Sequence, residues 1–161
     1  MALSDSKRTS EYDLQSGLGT YNNNTDVFKY VIITDSFTVI DEDAVAIGIA
    51  NYTKVASAGA YVQDTTLTNS TWTRTGSVSK LDYDDFSFGA NASNPITGKT
   101  IAIYNDTSAS KDVFKFIDMT ADGGTTAADT TLGLNFTVNA GGSGTVTVSY
   151  THLTLPTICS V

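Results

Sequence analysis

One cysteine, Cys159, and one histidine, His152, are the only thiol and the only imidazole in the chain, and both lie within its last ten residues. A single thiol excludes an intrachain disulfide, and one histidine with one cysteine supplies too few ligands for a zinc site. No apolar run approaches the roughly 18 residues that a membrane-spanning helix needs. The start, Met1 to Asp5, lacks the basic and apolar regions of a secretory signal peptide, so a soluble chain without a classical leader is expected. Positive charge is also scarce: nine Lys and Arg stand against 17 Asp and Glu, for a net charge of −8. The nine are scattered from Lys7 to Lys115 with no cluster able to neutralise a phosphate backbone, which argues against nucleic-acid binding. Only 16% of the 161 residues are charged and two are proline.

Abundant threonine and 13 glycines favour strands and turns over helical bundles. The length fits one domain with its own core. Residues 1–26 read as a polar, flexible arm: Asp5 could cap a short helix through Glu11, and the Asn22-Asn23-Asn24 run reads as loop. Apolar density rises at Val27, and Val27 to Ile33 is too apolar on both faces for a solvated edge, which predicts a central strand. Ser36 to Ile40 reads as a second short strand. Ala44 to Ala50 suits either a buried strand or one helical turn. Ala60 to Thr68 and Ser70 to Arg74 read as strands with Asn69 at the turn between them.

Val78 to Phe88 is a longer strand candidate in which the Asp84-Asp85 pair shifts the phase and suggests a bulge. Ile101/Ile103 and Phe114/Phe116 recur every second residue, marking Thr100 to Asn105 and Val113 to Met119 as the strongest strand pair. Leu134/Phe136/Val138 alternates strictly with polar residues and leads through Gly141-Gly142-Ser143-Gly144 to Val146 and Val148, a C-terminal hairpin. About eight to ten antiparallel strands in residues 27–147 predict an all-β, single-domain β-sandwich or partly open barrel. Residues 148–161 change composition abruptly to Leu, Pro and His. The first ten match a translated transposase-based sequencing adapter, so this tail is expected to be non-native.

Candidate chemistry is thin. Without an imidazole or thiol in residues 1–147, Ser-His-Asp and Cys-His mechanisms lack their base. The Asp41-Glu42-Asp43 and Asp82/Asp84/Asp85 groups could hold a hard cation, but neither has the spacing of a calcium loop, and acidic turn residues explain them better. Asp84 and Asp118 could form a two-carboxylate hydrolase pair, although spacing in sequence does not fix their separation. Six Asn-x-Ser/Thr tripeptides, at Asn23, Asn51, Asn69, Asn91, Asn105 and Asn135, are what an Asn- and Thr-rich composition produces by chance. The glycine run at 141–144 lacks the helix and lysine of a phosphate loop. Trp72, Tyr61, Tyr83 and Tyr104 are candidate interface residues, because such rings offer contact area with a polar edge; core packing is the commoner fate of aromatics at strand spacing. No cofactor, metal or catalytic residue is expected.

Phe28-Lys29-Tyr30-Val31-Ile32-Ile33-Thr34, Ala58-Gly59-Ala60-Tyr61 and Thr66 to Arg74, taken with Leu81 to Phe88, Ile101-Ala102-Ile103-Tyr104-Asn105-Asp106-Thr107, Phe116-Ile117-Asp118 and Leu134-Asn135-Phe136, carry a likeness across most of Val27 to Thr147. In these stretches the chain resembles small virion structural proteins of tailed bacteriophages of marine and related bacteria. The resemblance implies a non-enzymatic β-rich component of the tail, neck or capsid surface. Such a component would be assembled in the bacterial host cytoplasm and would act by packing against copies of itself or other virion proteins. A receptor- or glycan-binding β-sandwich module is the alternative. The arm before Val27 is the expected intersubunit contact, and its removal is expected to leave the folded domain's stability nearly unchanged.

Overall fold

The structure is a computed structural model and describes residues 6–59, 61–75, 78–84, 86–88, 97–119, 128–129, 134–138 and 146–150. Its strands are β1 (Ser6–Arg8), β2 (Phe28–Ile33), β3 (Thr65–Thr66), β4 (Thr71–Thr75), β5 (Val78–Asp82), β6 (Phe86–Phe88), β7 (Thr97–Gly98), β8 (Thr100–Asn105), β9 (Val113–Asp118), β10 (Ala128–Asp129), β11 (Leu134–Val138) and β12 (Val146–Tyr150). One α-helix, α1 (Ser10–Gly17), and 3₁₀ turns at Phe37–Val39 and Ile49–Asn51 complete the described elements. The fold is all-β. The main sheet has the order β1-β9-β8-β2-β3, beside a β12-β11-β6 sheet and the β4-β5 and β7-β10 pairs, every pairing is antiparallel, and the sheets stay open.

The main sheet is buried on both faces, as the apolar run Tyr30 to Ile33 of β2 requires. Tyr30, Ile32, Ile101 and Ile103 share one cluster with Leu81, Tyr83 and the half-buried Trp72 and Phe86, so the β4-β5 and β6 elements cover that face. Val31, Ile33, Ala102 and Tyr104 share a second cluster with Phe37, Ile40 and Ile49 from the 3₁₀ turns. Close packing leaves no room for a side chain at Gly98, where an added Cβ would lie 2.1 Å from Ile32 Cγ2.

Local readings change where tertiary contacts override period. Residues 36–40 form a 3₁₀ turn rather than a strand: Phe37 and Ile40, three apart, are buried while Val39 is 76% exposed. Ile49–Asn51 is likewise 3₁₀, after a single bridge at Gly48. In the 60–68 stretch, from which residue 60 falls outside the described residues, Thr65–Thr66 is the one strand, Tyr61 forms a single bridge with Ala58, and Asp64 takes a left-handed φ of 58° between them. The long 78–88 strand divides at Tyr83–Asp84: β5 pairs with β4, and β6 pairs with β11. A bulge occurs instead in β9, where the register passes from Ile103↔Lys115 to Tyr104↔Val113 and leaves Phe114 without an opposite residue. Phe114 and Phe116 therefore join opposite clusters rather than one face. The C-terminal hairpin is present as β11-β12, and its register runs from Val138↔Val146 to Leu134↔Tyr150, beyond the composition change at Val148. The glycine run at 141–144, Asn91 to Ile96 and residues 151–161 lie outside the described residues.

The largest correction concerns the segment before Val27. Residues 6–26 are docked, not free: β1 pairs with the outer edge of β9, and the Thr9 amide donates to Phe114 O at 3.2 Å. Tyr12 of α1 is fully buried. Its ring stacks on Tyr21 at 4.5 Å and meets Phe114 edge-on at 5.2 Å, so the aromatic anchor outweighs the polar composition around it.

Candidate functional site

The α1–β2 connection and the β8–β9 connection meet around one buried amide. Asn105, at the end of β8, is fully buried and uses both halves of its side chain. Its Nδ2 donates to Asp26 Oδ2 at 2.6 Å and to Tyr12 Oη at 3.2 Å. Its Oδ1 accepts the amides of Thr107 and Ser108 at 2.9 and 3.2 Å, an Asx-type turn that starts the connection. Tyr12 Oη in turn donates to Asn23 Oδ1 at 2.8 Å. The connection closes where Ser108 Oγ accepts the Asp112 amide at 2.8 Å and Lys111 adopts a φ of 54°. Asp106 binds Lys29 at 2.8 Å and also pairs with Lys111; hydrogen bonds from Lys111 and then Lys29 hold its carboxyl below the usual range.

Beside this hub, a groove of about 410 Å³ runs between α1 and the β8–β9 connection. Glu11, Gln15, Thr20 and Tyr21 form one wall, Thr107 to Ser110 and Asp112 the other, and Val45 and Ile47 complete the lining. Val45, Ile47, Ala109, Ser110 and Asp112 also line an adjoining hollow of about 450 Å³ that reaches Asn51. The walls are tied internally. Tyr21 Oη donates to Asp112 Oδ2 at 2.6 Å, and Ser110 Oγ donates to the same oxygen at 3.1 Å. Gln15 Nε2 donates to Glu11 Oε1 at 2.7 Å while Gln15 Oε1 accepts Thr20 Oγ1 at 2.9 Å. Burial raises the pKa of both Tyr12 and Tyr21, and the Asp112 carboxylate raises that of Tyr21 further. These phenols therefore stay protonated and act as hydrogen-bond donors, not as bases.

The four candidate interface aromatics fall elsewhere, and three are core residues. Tyr61 and Tyr104 are each 1% exposed and Tyr83 is 6% exposed. Tyr61 Oη accepts the Ile32 amide at 3.0 Å, and burial pushes its pKa up to about 12. Tyr104 Oη donates to Asp64 Oδ1 at 3.0 Å, and Lys54 binds the same carboxylate at 2.9 Å. Trp72 is half-buried and lies with Phe114 around the Arg8 guanidinium, at 5.4 and 4.9 Å from the two ring centres. Trp72 thus seats β1 rather than presenting a rim.

Asp41, Glu42, Asp43 and Asp84 have structural partners, and Asp85 lies outside the described residues. Asp41 caps the Asp43 amide, Glu42 O accepts the Ser10 amide, and Asp43 accepts the Ser10 hydroxyl. Asp84 accepts from Thr68 Oγ1 at 3.0 Å and Asn69 Nδ2 at 2.7 Å, which stabilises the Asn69 turn with its φ of 52°. Asp118 is fully buried at the end of β9 while Asp84 is exposed, so the two proposed hydrolase carboxylates sit in opposite environments. Among the described residues, no group of three or more His, Cys, Asp or Glu could hold a metal ion, and no helix is long and apolar enough to cross a membrane.

Tyr12 and Tyr21 go unmarked in the sequence, and Asn105 figures there only as the end of a strand, as one of six chance sequons and within the phage-like stretches. An Asn-Asp-Thr-Ser run at the end of a strong strand is an Asx-turn signal, and it could have marked Asn105. Nothing in the polar surroundings of Tyr12 marks it as a core residue. Comparison with protein-family models, with curated proteins and with solved structures found no match for this chain.

Proposed function

We propose that the chain is a non-enzymatic structural subunit of a bacteriophage virion, in the tail, neck or capsid surface, that works by packing against copies of itself and neighbouring virion proteins. The observation that carries this reading is the outer side of α1. Leu14 in α1 is 55% exposed and Leu18 at the C-cap of the helix is 69% exposed, one helical turn apart, and the other side of the helix is anchored by the buried Tyr12. An apolar pair on a fixed support is a contact whose ordering cost has already been met within the subunit.

The virion assignment itself rests on the resemblance of residues 27–147 to phage structural proteins. In this proposal the β1–α1 segment is the intersubunit contact, offered as a docked surface in place of a loose arm. The competing reading, a receptor- or glycan-binding module built on Trp72 and neighbouring tyrosines, loses its platform because Tyr61, Tyr83 and Tyr104 are buried.

Sedimentation velocity over a concentration series tests the proposal. The wild-type chain should self-associate, and Leu14→Ser with Leu18→Ser should give a monomer of unchanged melting temperature. A wild-type chain that stays monomeric throughout, or a double variant that associates as before, would count against it.

A further inference from the structure

We propose that the groove between α1 and the β8–β9 connection is a binding site for a neutral oligosaccharide. This site is independent of the assembly contact: Leu14 and Leu18 are not among the residues that line it.

Three features point to a polyhydroxylated, uncharged ligand. The volume of about 410 Å³ lies within the ~300–1,000 Å³ range of small-ligand sites. The polar groups of the lining include the Glu11 and Asp112 carboxylates and the Gln15 amide, each already tied to a neighbour, beside the hydroxyls of Thr20, Thr107, Ser108 and Ser110. Gln15 bridges Glu11 and Thr20, and Asp112 takes two donors on Oδ2. These bonds leave the second N–H of Gln15 and the remaining carboxylate oxygens of Glu11 and Asp112 as a mixed set of donor and acceptors, which suits adjacent sugar hydroxyls. Because the side chains are already oriented, binding costs less rotamer entropy. Tyr21, Val45 and Ile47 add apolar wall surface for the C–H faces of a sugar ring; one face of the Tyr21 ring packs on Tyr12, and Tyr21 still lines the groove.

Charge narrows the ligand class. The groove lining contains two carboxylates and no Lys or Arg, which disfavours an anionic sugar or a phosphate. The Asp112 carboxylate is largely buried and already shared between two hydroxyl donors, which disfavours an ammonium ligand relative to hydroxyls.

Amide chemical-shift titration of the full chain with maltotriose, cellotriose and triacetylchitotriose tests the site, with spermine as the cationic comparison. At least one trisaccharide should give saturable shifts at Thr20, Tyr21, Ser108 and Ser110. Gln15→Ala, a partly exposed helix position whose melting temperature should stay close to wild type, should weaken that binding about tenfold, the effect of losing one or two hydrogen bonds. Tyr21→Phe should weaken it as well, because it keeps the ring and removes the hydroxyl that orients Asp112. Three outcomes would each overturn the proposal: no saturable shift with any trisaccharide, shifts unchanged in Gln15→Ala, or a groove that responds to spermine alone. Self-association in the sedimentation experiment is read separately, so loss of one result leaves the other standing.

Discussion

The β2-β8-β9 ladder and the β1–α1 segment are held in place by different physics. In the ladder, stability is spread over thirteen apolar side chains on two faces, so no single methyl group decides it. The β1–α1 segment makes a three-residue ladder and then depends on one aromatic ring, one buried amide and the cation seat of Arg8. A distributed apolar core tolerates trimming, whereas a segment with few anchors concentrates its energy in those anchors.

The sharpest way to break this contrast is to remove an anchor and a ladder residue side by side. Tyr12→Ala deletes a fully buried ring and should lower unfolding free energy by about 5 kcal/mol, the top of the range for a buried aromatic, against about 3 kcal/mol for the size-matched Phe116→Ala in the ladder. Urea denaturation of both variants reads the difference directly. Equal losses would erase the distinction.

Asn105→Ala comes next. It strips Asp26 and Tyr12 of a donor and the Thr107 and Ser108 amides of their acceptor, and should cost about 2–3 kcal/mol. Because the loss falls on the β8–β9 connection, the Thr107 and Ser108 amides should also gain faster hydrogen exchange.

Alkaline pH weakens both regions through their buried phenols. Burial raises the pKa of Tyr12, Tyr21 and Tyr104, and pushes that of Tyr61 up to about 12, while an unfolded tyrosine ionises near ~10. Above that point the folded state keeps protons that the unfolded state has lost. Stability is therefore full below about pH 10 and declines as pH rises through the folded values. Tyr12→Phe should flatten part of this decline, measured as the urea midpoint from pH 9 upward.

The smallest effect lies at the acid end. The Asp106 carboxyl is held low by Lys111 and Lys29, so its contribution is present above the unfolded carboxylate value, near ~3.9, and is lost as pH falls through the lower folded value. Asp106→Asn should remove that part of the acid dependence at a neutral-pH cost of about 1 kcal/mol or less, because the ion pairs are partly solvated.

Legibility in the sequence follows the same division. The ladder was readable because Ile101/Ile103 and the run Phe28 to Ile33 repeat an apolar pattern that only a buried sheet accommodates. The opposite placement of Phe114 and Phe116 was not, since a bulge in β9 depends on the partner strand and leaves no mark in local alternation. Ser6-Lys7-Arg8 carries no apolar signal at all; it becomes a strand because β9 offers an unpaired backbone edge. Most of the candidate site was hidden for a related reason. The groove joins residues 11–21, 45–47 and 107–112, which topology alone brings together, while the candidate interface aromatics Tyr61, Tyr83 and Tyr104 have strand spacing and lie in the core.

Hydrogen exchange at the Thr9 amide tests the central claim most directly, because this buried group donates to Phe114 O at the junction of β1 and α1. An integral segment predicts protection close to that of Val31 in the ladder. Exchange within minutes, at the rate of a fraying terminus, would contradict it.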